Sequence, residues 1–484
     1  MYNTLYKENN APNRWHQDPG PQTLEKSFSP PSREIKRRFK EERKFSISRP
    51  SDARWFVKKG TRFCKVILRC LRLSPGKTKE TLNTFVTAFK DRKLTSQVLS
   101  LYLTGKDGNL RKFAVALHSQ RNVSALTLDF RNAPELTQQG MKFLALRLGR
   151  MYLSELEISL ANNFVFKIPV EGLSPLFSCL KRLTCLLSLT LVLQYNKTLK
   201  LPTIKELFSS FNGMRRLERL RISIKNSLIE DEAVEGLLFG LGKLKHISHL
   251  SFDIFHSSNL INLSPFNNVP RMLTSLKCLT SLELILNFWR TKMEDPIITR
   301  ISSGLKSLTS LKNLTLSLFP YGPRFVECGA ESLSEALREM KSLQKLDLHF
   351  SVAEFTKEYQ DKLSSGFKGL EMLKHLSLFL RFDKVSEKDI ESFSLVFMNM
   401  KALNVLQLEF GSFNKFDKNI IHILCENLKR VSSLKHFFLK IYTNEELEEQ
   451  EKKRFIFNLR DVKVNLLSNI YKGGWDLHFT YMKH

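Results

Sequence analysis

Seven cysteines are spread over 484 residues, and none stands three positions from another, so the spacings of paired-cysteine zinc sites and C-x-x-C redox motifs are absent. The count is odd and most of the seven sit in apolar stretches, which predicts reduced, largely buried thiols. The start, Met1 to Asn10, has no apolar h-region, so no signal peptide is expected. The longest apolar run, around Leu186 to Leu193, is broken by Ser188 and Thr190 and is too short to span a bilayer. Catalytic signatures are missing as well: there is no G-x-S-x-G, H-E-x-x-H or kinase set. Gly236, Gly240, Gly242 and Lys243 approach a phosphate loop, but Leu237 and Leu244 occupy positions that need Gly and Ser or Thr. No enzymatic activity, metal or cofactor is therefore expected, and the expected setting is cytoplasmic, with a nuclear one as the alternative.

Acidic residues are also in short supply, 48 against 76 Lys and Arg, which leaves a formal charge of +28. The excess is uneven. Between Arg33 and Lys79 there are 17 basic and 4 acidic side chains, nearly half of the surplus in a tenth of the chain. Residues 1–53 combine this charge with Pro, Asn and Ser and show no apolar periodicity, the composition of a disordered arm. Within it Lys36, Arg37, Arg38 and Lys40 form either a nuclear-import patch or a solvated basic tail.

From 54 to 93 a helical N-terminal cap is expected. Phe63, Val66, Ile67, Cys70 and Leu71 follow the spacing of one helix face, with Arg62, Lys65, Arg69 and Arg72 elsewhere. Such a helix either covers the open end of a core or docks on a membrane surface or acidic partner.

What the chain has in abundance is leucine in register. Leu308-Thr309-Ser310-Leu311-Lys312-Asn313-Leu314-Thr315-Leu316-Ser317-Leu318 reads L-x-x-L-x-x-L-x-L-x-L, preceded by a helical pattern from Pro296 to Lys306. The triplets begin at Leu126, Leu156, Leu189, Leu220, Leu250, Leu282, Leu314, Leu346, Leu376, Leu406 and Phe437, at intervals of 30 to 33 residues. Alternation places three apolar side chains on one face of a short strand, and Leu333, Leu337 and Met340 carry helix spacing between strands. One such unit buries too little to offset the entropy of ordering it, so neighbours must stack. The pattern predicts an α/β solenoid over 94–443, with a C-terminal cap over 444–484. In that cap Glu445 to Arg454 reads as helical and Trp475 to Tyr481 as an edge or capping strand.

In these motifs the sequence resembles leucine-rich-repeat proteins, above all the ribonuclease-inhibitor-like subclass with its long repeats and true helix. The resemblance covers about Leu94 to Ile441 and implies a horseshoe with strands inside and helices outside. Two features depart from it. The repeats exceed the family's roughly 20–29 residues. The asparagine that follows the family's strand is mostly replaced by an apolar residue one step earlier: Leu160, Leu193, Leu286, Leu318, Phe350, Leu380 and Phe410. Longer strands and a drier turn are expected in place of an asparagine ladder.

The residues between the leucines are expected to face the hollow. Seven are acidic and four basic, so the face is not a phosphate-binding one. Protein binding is the expected role, with Phe379 and Phe438 as aromatic anchors and Glu155, Glu157, Arg219, Arg221, Asp253 and Glu283 as polar selectors. An alternative is an adaptor tethered through its arm to nucleic acid, acidic tails or anionic membrane, with Lys36, Arg37, Arg38, Lys40, Arg62, Lys65 and Arg69 as contacts. A monomer or a member of a hetero-complex is expected. His249, His375 and His436 share a column but come from separate repeats, too far apart for one ion.

Overall fold

Each leucine triplet forms a strand, and each strand lies beside the next one in the chain. In the computed structural model the sheet has 16 strands, ordered β1 to β14 in sequence, then β16, then β15. The structure describes residues 122–442, apart from many loops after the strands and some residues between β13 and β14, and, outside those bounds, the strands and scattered helical residues between 83 and 117. The chain divides into Met1–Lys44 and Phe45–His484, and the architecture that follows is that of the second unit.

The strands are β1 Lys44–Ile47, β2 Arg62–Arg69, β3 Thr95–Tyr102, β4 Ala125–Asp129, β5 Glu155–Ala161, β6 Ser188–Gln194, β7 Arg219–Lys225 and β8 His249–Phe255. They continue with β9 Ser281–Asn287, β10 Asn313–Leu318, β11 Lys345–Glu354, β12 His375–Lys384, β13 Val405–Ser412, β14 His436–Tyr442, β15 Lys463–Leu467 and β16 Gly474–Thr480. Between them lie α1 Gln138–Leu148, α2 Leu173–Leu180, α3 Leu201–Ser210, α4 Asp231–Leu241, α5 Val269–Ser275, α6 Asp295–Leu305, α7 Glu327–Glu339, α8 Lys357–Lys368 and α9 Glu387–Val396.

From β2 to β14 every pairing is parallel and in one register, so Leu314 lies beside Leu282 and Leu346, and Leu316 beside Leu284 and Leu348. This is the open, unclosed sheet alternating with helices that a repeat solenoid has. The leucine columns and the inner helix faces make one continuous core: Leu316, Leu333, Leu337, Met340, Leu346 and Leu348 are all buried. Two of the helices start where the sequence supplies a side-chain cap. Thr137 accepts a hydrogen bond from the Gly140 N–H at the head of α1, and Thr356 from that of Tyr359 in α8.

The place of the missing asparagines is dry. Leu160, Leu193, Leu286, Leu318, Phe350, Leu380 and Phe410 are buried, and β11 and β12 run to 10 residues each. A backbone ladder just ahead of the strands ties the repeats together. The Ser154 carbonyl accepts the N–H groups of Leu187 and Ser188 (2.8 and 3.0 Å), and the Leu187 carbonyl those of Glu218 and Arg219 (2.9 Å each). The same two-donor pattern recurs at the carbonyls of Ser248, Thr280, Lys312, Gln344, Lys374 and Asn404.

Four expectations need correction. The stretch expected to be a helix at 61–72 contains strand β2, parallel to β3 with Val66 beside Leu99 and Leu68 beside Leu101. A short apolar run fits either period, and here a neighbouring strand offers backbone hydrogen bonds that the periodicity cannot register. The arm expected to be disordered over 1–53 contains strand β1. Trp475 to Tyr481 is not the edge: β16 lies antiparallel between β14 and β15, and β15 ends the sheet. Among the described cysteines Cys179, Cys185, Cys278 and Cys328 are free, but Cys278 and Cys328 are exposed while Cys179 is buried, because Cys278 lies in a turn and Cys328 at a helix start. The Cys179 thiol donates to the Leu176 carbonyl at 3.1 Å, and burial pushes its pKa up to about 12. The helix expected at Glu445 to Arg454 lies outside the described residues.

Candidate functional site on the open face of the sheet

Parallel register stacks the side chains between the leucines into columns on the face away from the helices. In the first two columns Glu155, Glu157, Arg219 and Arg221 are exposed. The Arg219 guanidinium reaches past Ser188 on β6 to the Glu155 carboxylate, 3.1 Å away, and Thr127 donates to Glu157 at 3.4 Å. Four charged groups, two acidic on β5 and two basic on β7, thus share one patch.

The third column behaves differently from the solvated face expected for it. Asp129, Ser159, Ser223, Asp253 and Ser317 are buried. At Asp253, only 2 % exposed, the Ser223 hydroxyl donates to Oδ2 at 3.0 Å and the Lys225 ammonium lies 3.1 Å from the same oxygen. The other oxygen, Oδ1, is buried with no hydrogen-bond partner. Burial raises the Asp253 pKa, Lys225 and Ser223 offset part of that rise, and the nearby Glu283 adds to it. Glu283, half-buried on β9, accepts the Ser251 hydroxyl at 2.5 Å.

The aromatic residues expected as anchors lie elsewhere on the face. The Phe379 ring on β12 is half-buried, with its centroid 5.9 Å from that of His349 on β11. Phe438 on β14 is half-buried too, at the register position between Gln407 and His478. Two strand spacings, about 10 Å, separate their strands, so they do not form one anchor. The charged patch and the aromatic positions are distinct regions.

A second polar group escaped the sequence reading. The Asp347 carboxylate on β11 accepts from Thr315 on β10 at 3.1 Å, pairs with Lys345 at 3.0 Å and lies 3.8 Å from His375 Nε2 on β12. Desolvation lowers the His375 pKa, with Asp347 opposing and Lys345 assisting. Lys225 was missed as well, although it continues the alternation Arg219, Arg221, Ser223 by one further step.

His249, His375 and His436 stand on β8, β12 and β14, with Val405 between the last two. Among the described residues no group of three His, Cys, Asp or Glu is placed to hold a metal ion, and no helix is long and apolar enough to cross a membrane. Gly236 and Gly240 lie within α4, where no phosphate loop can form. Arg62, Lys65 and Arg69 are on β2, their side chains outside the described residues, as are Lys36, Arg37, Arg38 and Lys40 altogether.

The class that fold and face define is an α/β solenoid with an open parallel sheet. The sequence matches no protein-family model, and no curated protein shows significant similarity to it.

Proposed function

We propose that the chain is a leucine-rich-repeat protein of the ribonuclease-inhibitor-like kind and acts as a non-enzymatic cytoplasmic scaffold. It binds a protein partner on the open sheet face over β5 to β9. The observation that carries this reading is Asp253. A carboxylate held 2 % exposed with one oxygen unpartnered is costly to a fold. Local rules broken at a cost to stability mark functional positions. Around it Glu155, Glu157, Arg219, Arg221 and Glu283 supply a pattern of both signs that selects among partners by charge complementarity.

The experiment compares full-length protein with the charge-reversed pair Glu157→Lys and Arg221→Glu, and with the pair Phe379→Asp and Phe438→Asp. Partners are recovered by affinity purification and quantified by mass spectrometry. Loss of a defined set with the first pair supports the β5 to β9 surface. Equal recovery from all three proteins removes the open face from consideration.

A further inference from the structure

The turns that lead from each helix into the next strand all lie at one edge of the solenoid, where the helices end and the parallel strands begin. This leading edge is chemically unlike the open face. From β5 to β14 every one of these turns carries at least one exposed Lys or Arg, and among the described residues only Glu218 and Glu371 oppose them. Arg215, Lys245, Lys277, Lys341 and Lys401 occupy the same place, five residues ahead of the leucine-class residue that opens the triplet. Lys306 is ion-paired, to Glu335 on α7, but the column of five has no ion pair among the described residues.

A second, independent feature falls on the same edge. Of the seven exposed large apolar residues among the described ones, six (Leu146, Tyr152, Phe239, Met372, Leu395 and Met398) lie in the last turn of a helix or in the turn that follows it. Tyr152 is 80 % exposed, and the Lys243 ammonium sits 4.7 Å from the centre of the Phe239 ring. The helix macrodipole accounts for some of the cations, since each helix directs its negative end here. It accounts for none of the protruding apolar groups.

We propose that the leading edge docks on an anionic lipid bilayer. Lysines and arginines neutralise the headgroups while the protruding side chains enter the acyl boundary, the two signals that together give stable peripheral binding. Nucleic acid shares the demand for cations but rewards stacking aromatics. Four of the six protruding groups, Leu146, Met372, Leu395 and Met398, offer bases nothing to stack on and suit hydrocarbon, while Tyr152 and Phe239 suit the interfacial region of a bilayer as well. The surface is separate from the protein-binding face proposed above and does not depend on it.

The test uses the full-length protein and vesicles of phosphatidylcholine alone or with about 30 % phosphatidylserine, in a sedimentation assay over a salt series. Binding is expected only to the anionic vesicles and is expected to weaken with salt. Each surface cation contributes about fivefold, so the triple variant Lys245→Glu, Lys277→Glu, Lys341→Glu is expected to lose at least about tenfold in partitioning. The pair Phe239→Ser and Met372→Ser is expected to lose about fivefold or more. Thermal melts confirm that both variants remain folded. Alkylation of cysteines separates this edge from the basic arm. Cys278 lies in a leading-edge turn and Cys328 at the start of α7, on the other side, so bound vesicles are expected to protect Cys278 and spare the reactivity of Cys328. Unaltered partitioning of the triple variant, or equal alkylation of Cys278 with and without vesicles, overturns the proposal. Polyuridylate RNA that competes for the edge, with no effect of the apolar substitutions, assigns the surface to nucleic acid and overturns it equally.

Discussion

Gly240 and Phe208 are in contact through an absence. A β-carbon added to Gly240 on α4 would fall 2.2 Å from the Phe208 Cβ on α3, so the two helices approach as closely as they do because position 240 has no side chain. Helix propensity alone favours Ala over Gly by about 1 kcal/mol. Packing reverses the sign: Gly240→Ala is expected to destabilise the protein by about 1–3 kcal/mol, read from denaturant unfolding. Combining it with Phe208→Gly should cost less than the sum of the two single changes, because the Cβ that the new methyl group would meet is then gone.

Asp253 gives the opposite sign. Its pKa is raised in the folded state, so its ionised form opposes folding at neutral pH. That penalty is absent below the ordinary carboxylate range, near pH 4, and grows as pH rises through the raised value. Asp253→Asn is therefore expected to raise the melting temperature at pH 7, with the gap closing as pH is lowered. A melting temperature that falls at pH 7 would show instead that Lys225 depends on the carboxylate more than the carboxylate suffers from burial.

His375 behaves as the mirror case. Its folded pKa lies below the free value, so its contribution is complete above about pH 6.5 and is lost as pH falls through the lower, folded value. His375→Gln should flatten the loss of stability on the acid side of neutrality. Thermal melts at half-unit intervals of pH measure it, and identical profiles for the two proteins would remove His375 from the account.

The cysteines can be counted by reactivity. Cys278 and Cys328 are exposed and should be alkylated rapidly in the native protein. Cys179, buried with a pKa pushed to about 12, should react only after unfolding. Peptide mapping after a short pulse of iodoacetamide distinguishes the two groups.

The leucine columns were legible because alternation and a regular interval both follow from local geometry. Leu314, Leu316 and Leu318 needed no neighbour to declare which way they point. Phe63, Val66, Ile67, Cys70 and Leu71 also suit a helix, and pairing with neighbouring strands, β3 among them, makes 62–69 a strand; no local period carries that information. The candidate face was readable as a set of positions but not as an environment. Glu155 and Arg219 are 64 residues apart, and their contact depends on Ser188 being short enough to reach across. The basic, apolar leading edge was overlooked for a related reason: its members are scattered one or two to a repeat, and they gather only when the repeats stack.

The sheet closes with a reversal, since β16 runs against β14 and β15 against β16. An internal duplication during evolution could splice another unit between any two parallel strands and keep every hydrogen bond in step. Beyond β16 the same insertion would meet a strand of the wrong polarity. The molecule can therefore lengthen from within, but its final strands act as a full stop to the gene's reuse of the pattern.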